Sequence, residues 1–171
     1  MNKQITNQYH YTTWNPLYNS ETTLQEAYYD MQKYTAANQD DIPFIVQLIE
    51  NPKYRLFRFG FLKGSTSLFV HDLLHIILEQ TMKMSGEAYV IGYTMGSTKK
   101  IRKIDIFIFS LFSKYLYPKK FRLKKKDLAI FSQGVKDGQF SKSHNLHSIN
   151  PTELLHQPLS TIRKALKIDL P

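Results

Sequence analysis

The residues with the clearest chemistry lie in Val70-His71-Asp72-Leu73-Leu74-His75, inside an apolar run from Leu68 to Leu78. Eleven residues separate His75 from Glu87, which follows Ser85-Gly86. Two imidazoles and two carboxylates at this spacing form a candidate divalent-metal site, with His71, Asp72, His75 and Glu87 as its ligands. On a helix, residues four apart share a face, about 5–6 Å apart at Cβ. His71 and His75 can therefore address one ion. Asp72 is about 100° round from His71 and about 60° from His75, within the same half of the helix. Glu87 cannot join them on one straight helix, because its distance from His75 corresponds to about 18 Å of rise. A bend is required, and Ser85-Gly86 is the expected place for it, since Gly is the default residue where backbone must turn. Glu87 then falls in the first turn of an antiparallel second helix.

Imidazole plus carboxylate suits zinc, iron, manganese or cobalt. Zinc is the first expectation, and magnesium is retained. The alternative is a metal-free polar network. Two imidazoles and an Asp left unpaired among Leu and Ile would cost several kcal/mol, so the metal reading is preferred.

Written out, the motif is His-Asp-x-x-His, eleven residues, then Glu. It resembles the signature of the ubiquinone (coenzyme Q) biosynthesis protein four family, with His71, Asp72, His75 and Glu87 all matching. Gly86-Glu87-Ala88 is similar to the family's Gly-Glu start of the next helix. Gln157 to Ile168 is similar to its closing pattern of Pro-Leu, Arg, Leu and a final Ile. The two blocks agree in order over the C-terminal part of the chain. The resemblance implies an all-helical, metal-binding protein that takes a polyprenyl quinone precursor or another isoprenoid lipid. It implies either oxidative decarboxylation of the ring, a lyase-type activity, or scaffolding of a biosynthetic complex. His71, His75 and Glu87 would hold the ion. Asp72 would complete the shell, or act catalytically by orienting water and taking a proton.

Two other classes fit the same residues. His71-Asp72-x-x-His75 echoes the His-Glu-x-x-His helix of zinc hydrolases, although the Asp is one methylene shorter than the usual general base. Nucleotide-hydrolysing proteins with a His-Asp pair need a further upstream His, and His10 is the only one. A non-catalytic isoprenoid-lipid adaptor with a structural metal is the third reading.

The elements that must position these residues follow from the rest of the chain. At 171 residues, with 42% hydrophobic content and no Cys, the chain reads as one domain without disulfides or thiolate ligands. Seven Gly and seven Pro are few for a turn-rich β-sandwich. The expected fold is all-α, a single bundle of six to eight helices spanning 20–171, preceded by an N-terminal arm, 1–19, whose Trp14 tucks onto the body. Met1 to Pro16 lacks the apolar core of a secretory signal, and no apolar run is long enough to span a bilayer. The expected location is cytoplasmic, peripheral on the inner face of the membrane.

Helix one is expected over Ser20 to Asn38, capped by Ser20, and a short helix over Ile42 to Glu50. Tyr54 to Lys63 interleaves Arg with Phe and reads as a helix or extended lead-in. Gly64 to Ser67 is a turn and cap. The metal helix runs over Leu68 to Met84, and the second helix over Glu87 to Met95. Gly92, Gly96 and Ala88 make a small-residue face for close helix approach. Lys99, Lys100, Arg102 and Lys103 open a third helix, apolar nearly all round over 104–117, which Pro118 ends. Asp127 to Gly138 is a further helix, broken or capped by Gly134 and Gly138. His144 and His147 are read as surface residues, and His156 as a cap or surface residue between the closing helices. Pro151 to Leu155 and Leu159 to Ile168 close the chain.

The net charge is +9, and much of it flanks the aromatic helix. An anionic membrane surface is the expected partner, with a homodimer through the 104–117 helix as a second expectation. No nucleic-acid-binding motif is present, and nucleic acid is not expected.

Overall fold

The computed structural model describes residues 11–36, 66–115, 122–143 and 145–170. The chain is all-α. Among the described residues it forms α1 (Leu24–Ala36), α2 (Leu68–Ile77), α3 (Met84–Ser97), α4 (Lys103–Tyr115), α5 (Lys125–Phe140), α6 (Pro151–Leu154) and α7 (Leu159–Leu166), with short 3-10 turns at Tyr11–Thr13 and Leu146–Ser148. Among the described residues no strand forms; an isolated antiparallel bridge joins Thr23 to Pro158. The expected helix over 42–50, the Arg/Phe stretch over 54–63, the stop at Pro118, His144 and the first ten residues of the arm lie outside the described residues.

Trp14 is fully buried, and its Nε1 donates to the Tyr18 hydroxyl at 2.8 Å, which donates on to Asp30 at 2.8 Å. The arm is thus tied onto α1. That helix begins four residues later than Ser20 suggested. Thr23 N–H donates to Glu26 at 2.9 Å, while Glu26 N–H donates back to the Thr23 hydroxyl at 3.3 Å. This reciprocal pair is a capping box, which satisfies two amides that a new helix leaves orphaned.

The apolar residues divide into two cores that meet at α3. One gathers Trp14, Leu24 and Met31 around Leu73, Leu74, Ile76 and Ile77 of α2, with Leu159 and Ile162 of α7 and Val90 of α3. The other joins Ala88 and Met95 of α3 to Phe109 of α4 and to Phe131 and Val135 of α5. Phe109 stacks on Phe131 with ring centroids 4.3 Å apart. Because α3 is covered on both sides, its sequence is apolar or small nearly all round.

The crossing of α3 with α5 is built from glycine on both helices. A Cβ at Gly92 would stand 2.3 Å from Phe131 O, and one at Gly96 2.3 Å from Val135 O. Reciprocally, a Cβ at Gly134 would stand 2.5 Å from Tyr89 O, and one at Gly138 2.2 Å from Tyr93 O. The expectation for Gly92 and Gly96 therefore holds. Gly134 and Gly138 are different from their expected role: they neither break nor cap α5 but lie inside it, at the contact. Lys99 closes the far end of this pair. Its ammonium donates to the carbonyls of Gly138, Gln139 and Ser141 at 2.6, 2.9 and 2.6 Å, where α5 runs out of amide partners.

The third-helix expectation is also revised at its start. Lys99 to Arg102 precede α4, and Asp105 in the first turn accepts from Arg102 N–H at 2.8 Å. α4 is not evenly buried: Asp105, Phe109 and Ser113 face inward, while Ile104, Phe107, Leu111 and Tyr115 are exposed.

Candidate metal centre

α2 carries two of the site residues because its apolar stripe must face the first core. Ser67 caps it, its side chain accepting from Val70 N–H at 3.3 Å. Burying Leu73, Leu74, Ile76 and Ile77 turns His71 and His75 inward with them.

The helix ends at Ile77, seven residues before its expected end at Met84, and the bend is not at Ser85-Gly86. Glu79 takes the left-handed conformation, φ 52°. Gln80 N–H donates to His75 O at 2.9 Å and Glu79 N–H to Ile76 O at 3.2 Å. This is a Schellman closure with Glu where Gly is usual. Arg163 of α7 holds it: its guanidinium donates to Ile77 O at 3.0 Å and Ile76 O at 3.3 Å, and pairs with Glu79 at 3.0 Å. Gly86 is helical, in the first turn of α3. A Cβ there would overlap the Thr81 carbonyl oxygen, 1.8 Å away. Gly86 thus lets α3 start hard against the loop from α2, and Glu87 comes back to the two imidazoles.

The result is one compact group. His71 Nε2 lies 2.9 Å from Glu87 Oε2, His75 Nε2 lies 3.3 Å from Glu87 Oε1, and the two Nε2 atoms are 3.1 Å apart. The rings meet edge-on, at 80°. All three side chains are buried, at 3%, 1% and 3% exposure. His75 Nδ1 is 3.1 Å from Gln80 O. A carbonyl only accepts, so Nδ1 carries the proton, and in neutral His75 the Nε2 lone pair faces the cluster.

The electrostatics agree with a tightly coupled pair. Burial alone would raise Glu87, but the imidazoles of His75 and His71 outweigh it and hold the carboxyl far below its usual range. Burial disfavours charged His75, yet Glu87, with a smaller contribution from Asp72, more than offsets this and raises it.

The donor set fits an ion. Ligands about 2.0–2.1 Å from one metal are separated by roughly 2.9 Å in octahedral and 3.4 Å in tetrahedral geometry. The imidazole–imidazole separation of 3.1 Å falls in that interval, as do the 2.9 and 3.3 Å approaches of the two imidazoles to different oxygens of Glu87. His71, His75 and Glu87 form a buried group that could hold a metal ion.

Asp72 is the correction to the expected four-ligand set. It is not among the residues whose ligand atoms converge. One residue on from His71 means about 100° of rotation, and this carries it to a half-buried flank of α2. Its charge still acts on the site, as one of the smaller causes that raise His75. His147 is half-buried in the 3-10 turn and His156 is exposed; neither joins the group. The Gln80 carbonyl and the Glu79–Arg163 pair were missed from the sequence. A backbone carbonyl has no residue-type signal, and Arg163 sat in the closing block with no visible target.

The fold and site together define an all-α protein with a buried two-histidine, one-carboxylate centre. Compared with known proteins, the chain matches no family model, no curated protein and no solved structure.

Proposed function

We propose that His71, His75 and Glu87 bind one divalent metal ion, zinc before iron, manganese or cobalt, and that the protein serves in quinone metabolism. In this reading it acts on, or holds, a polyprenylated ring precursor beside the ion. The convergence of two Nε2 atoms and one carboxylate at 2.9–3.3 Å carries the metal assignment. The resemblance of His71-Asp72-x-x-His75 with Glu87 to the ubiquinone biosynthesis protein four signature is what supports the substrate class.

Each residue then has a task. His71 and His75 donate neutral Nε2 lone pairs, and Gln80 O fixes the tautomer of His75. Glu87 supplies the negative charge. Three protein ligands leave coordination open, as a catalytic rather than a closed structural site requires. A bound ion supplies Lewis-acid activation of a ring oxygen. Asp72, outside the ligand group, takes in this reading the role of accepting a proton rather than of coordinating. The same placement weighs against the hydrolase alternative, in which the acid next to the first His must reach the site as general base.

The test is elemental mass spectrometry of purified protein with organic extraction of the same samples. One metal per chain and a co-purifying isoprenoid are expected. Metal with no isoprenoid in any preparation, and quinone levels indifferent to deletion, would sink the quinone assignment and leave the metal site standing.

A further inference from the structure

We propose that α4 lies on an anionic lipid surface, with its exposed apolar stripe in the interface and the flanking lysines on the headgroups. At 100° per residue, Ile104, Phe107, Leu111 and Tyr115 fall within about 80° of arc, opposite Asp105, Phe109 and Ser113. The second set is buried in the protein; the first is 49%, 61%, 44% and 57% exposed. One helix thus turns Asp105, Phe109 and Ser113 into the protein and leaves an apolar face with no partner among the described residues. A contiguous apolar face left in water marks a contact surface.

Charge chooses the occupant. From Lys99 to Lys126 the sequence holds eleven Lys or Arg against one acid, Asp105, so this stretch alone exceeds the net +9 of the whole chain. Asp105 is buried and paired with Arg102. Lys103 and Lys114 are exposed along one edge of the stripe, and Lys124, Lys125 and Lys126 are exposed at the start of α5. Long cationic side chains beside an apolar stripe can reach up to phosphates while their stems follow the apolar boundary. A second copy docked face to face would oppose two such cationic segments, which repel. Nucleic acid would match the charge and Phe107 and Tyr115 would stack on its bases, but Ile104 and Leu111, the aliphatic half of the stripe, gain nothing there, whereas a lipid interface covers all four. Among the described residues no helix is long and apolar enough to cross a membrane, so the helix lies along the surface.

The site and this surface are separate, since no residue of the metal group lies on α4. The experiment is flotation of the full chain with phosphatidylcholine vesicles, with and without phosphatidylglycerol. Binding is expected only to the anionic vesicles, weakening as salt is raised and indifferent to chelator. Phe107→Glu with Leu111→Glu is expected to lower partitioning by roughly tenfold or more. Lys125→Gln with Lys126→Gln is expected to do the same. All four positions are exposed, so unchanged circular dichroism and Tm are expected, and the lysine pair keeps the test valid if the first variant misfolds. Equal binding to neutral vesicles would overturn the proposal, as would partitioning that both variants leave intact. So would self-association without vesicles that Phe107→Glu abolishes, or nucleic-acid binding that displaces the vesicles and survives that substitution.

Discussion

His75 Nδ1 faces the carbonyl oxygen of Gln80 at 3.1 Å, and this contact decides what His75 can do. It commits the ring proton to Nδ1 and turns the Nε2 lone pair toward His71 and Glu87. The turn that supplies the carbonyl is therefore part of the site, although it contributes no ligand.

Arg163 is the residue that holds that turn. Replacing it with Met removes the guanidinium donor from Ile77 O, leaves Ile76 O to the Glu79 amide alone, and removes the ion pair of Glu79. A loss of about 1–3 kcal/mol is expected, with metal affinity reduced about tenfold as His75 loses its fixed partner. Thermal melts and metal titration of Arg163→Met against Arg163→Lys check this. Equal metal affinity in wild type and Arg163→Met would separate the turn from the site.

The glycine crossing makes a sharper stability prediction. Gly138→Ala puts a methyl 2.2 Å from Tyr93 O and 3.0 Å from Ser97 N, both backbone atoms that cannot swing away. The helices must part, at a cost of about 1–3 kcal/mol or more. At this chain length that corresponds to roughly 2–4 °C of Tm per kcal/mol. By contrast, an Ala at a glycine with open space inside a helix would stabilise. A raised Tm for Gly138→Ala would show that the two helices do not meet as described.

The metal-free protein should carry a pH signature. His75 is raised above its ordinary 6.5, so its contribution is complete below that value and is lost as pH rises through the folded pKa. Glu87 lies below its ordinary 4.5, so its contribution is present above that value and is lost as pH falls. Both contributions are at full strength between those two limits. Metal binding requires deprotonated imidazoles, so its added stability grows toward neutral and alkaline pH. Melts across pH with zinc and with chelator should place the chelated optimum in weak acid and the zinc optimum higher. Coincident optima would contradict this.

Much of the site was legible because two helix rules apply to it directly. Four-residue spacing put His71 and His75 on one face, and Glu87 was expected in the first turn of the next helix, where it stands. Where that turn forms was not legible. Gly86 draws attention as the flexible residue, but its need is for close approach to Thr81. The left-handed residue is Glu79, a type with no preference for that conformation, held there by Arg163 from the far end of the chain. Asp72 looked like a ligand because it is adjacent in sequence, and rotation by one residue takes it out of the group. Gly134 and Gly138 read locally as helix breakers. Their spacing repeats that of Gly92 and Gly96, and that repetition was the available signal for a helix pair. The Thr23–Glu26 spacing is equally visible in the sequence, and its capping box starts α1 later than Ser20 suggests. On α4, a pattern apolar all round hid the difference between a buried face and an exposed one, because residue type does not record which side has a partner.

The central claim is a three-ligand metal centre, and metal content measures it most directly. Elemental mass spectrometry is made on wild type, His75→Ala, Glu87→Gln and Asp72→Asn, each shown to be folded by circular dichroism. Near-stoichiometric metal is predicted in wild type and in Asp72→Asn, and none in His75→Ala or Glu87→Gln. Loss in Asp72→Asn as well would restore Asp72 to the ligand set. No metal in folded wild type, after growth and titration with zinc, iron, manganese and cobalt, would mean that His71, His75 and Glu87 are a buried ion-pair network and that the proposed function falls with the centre.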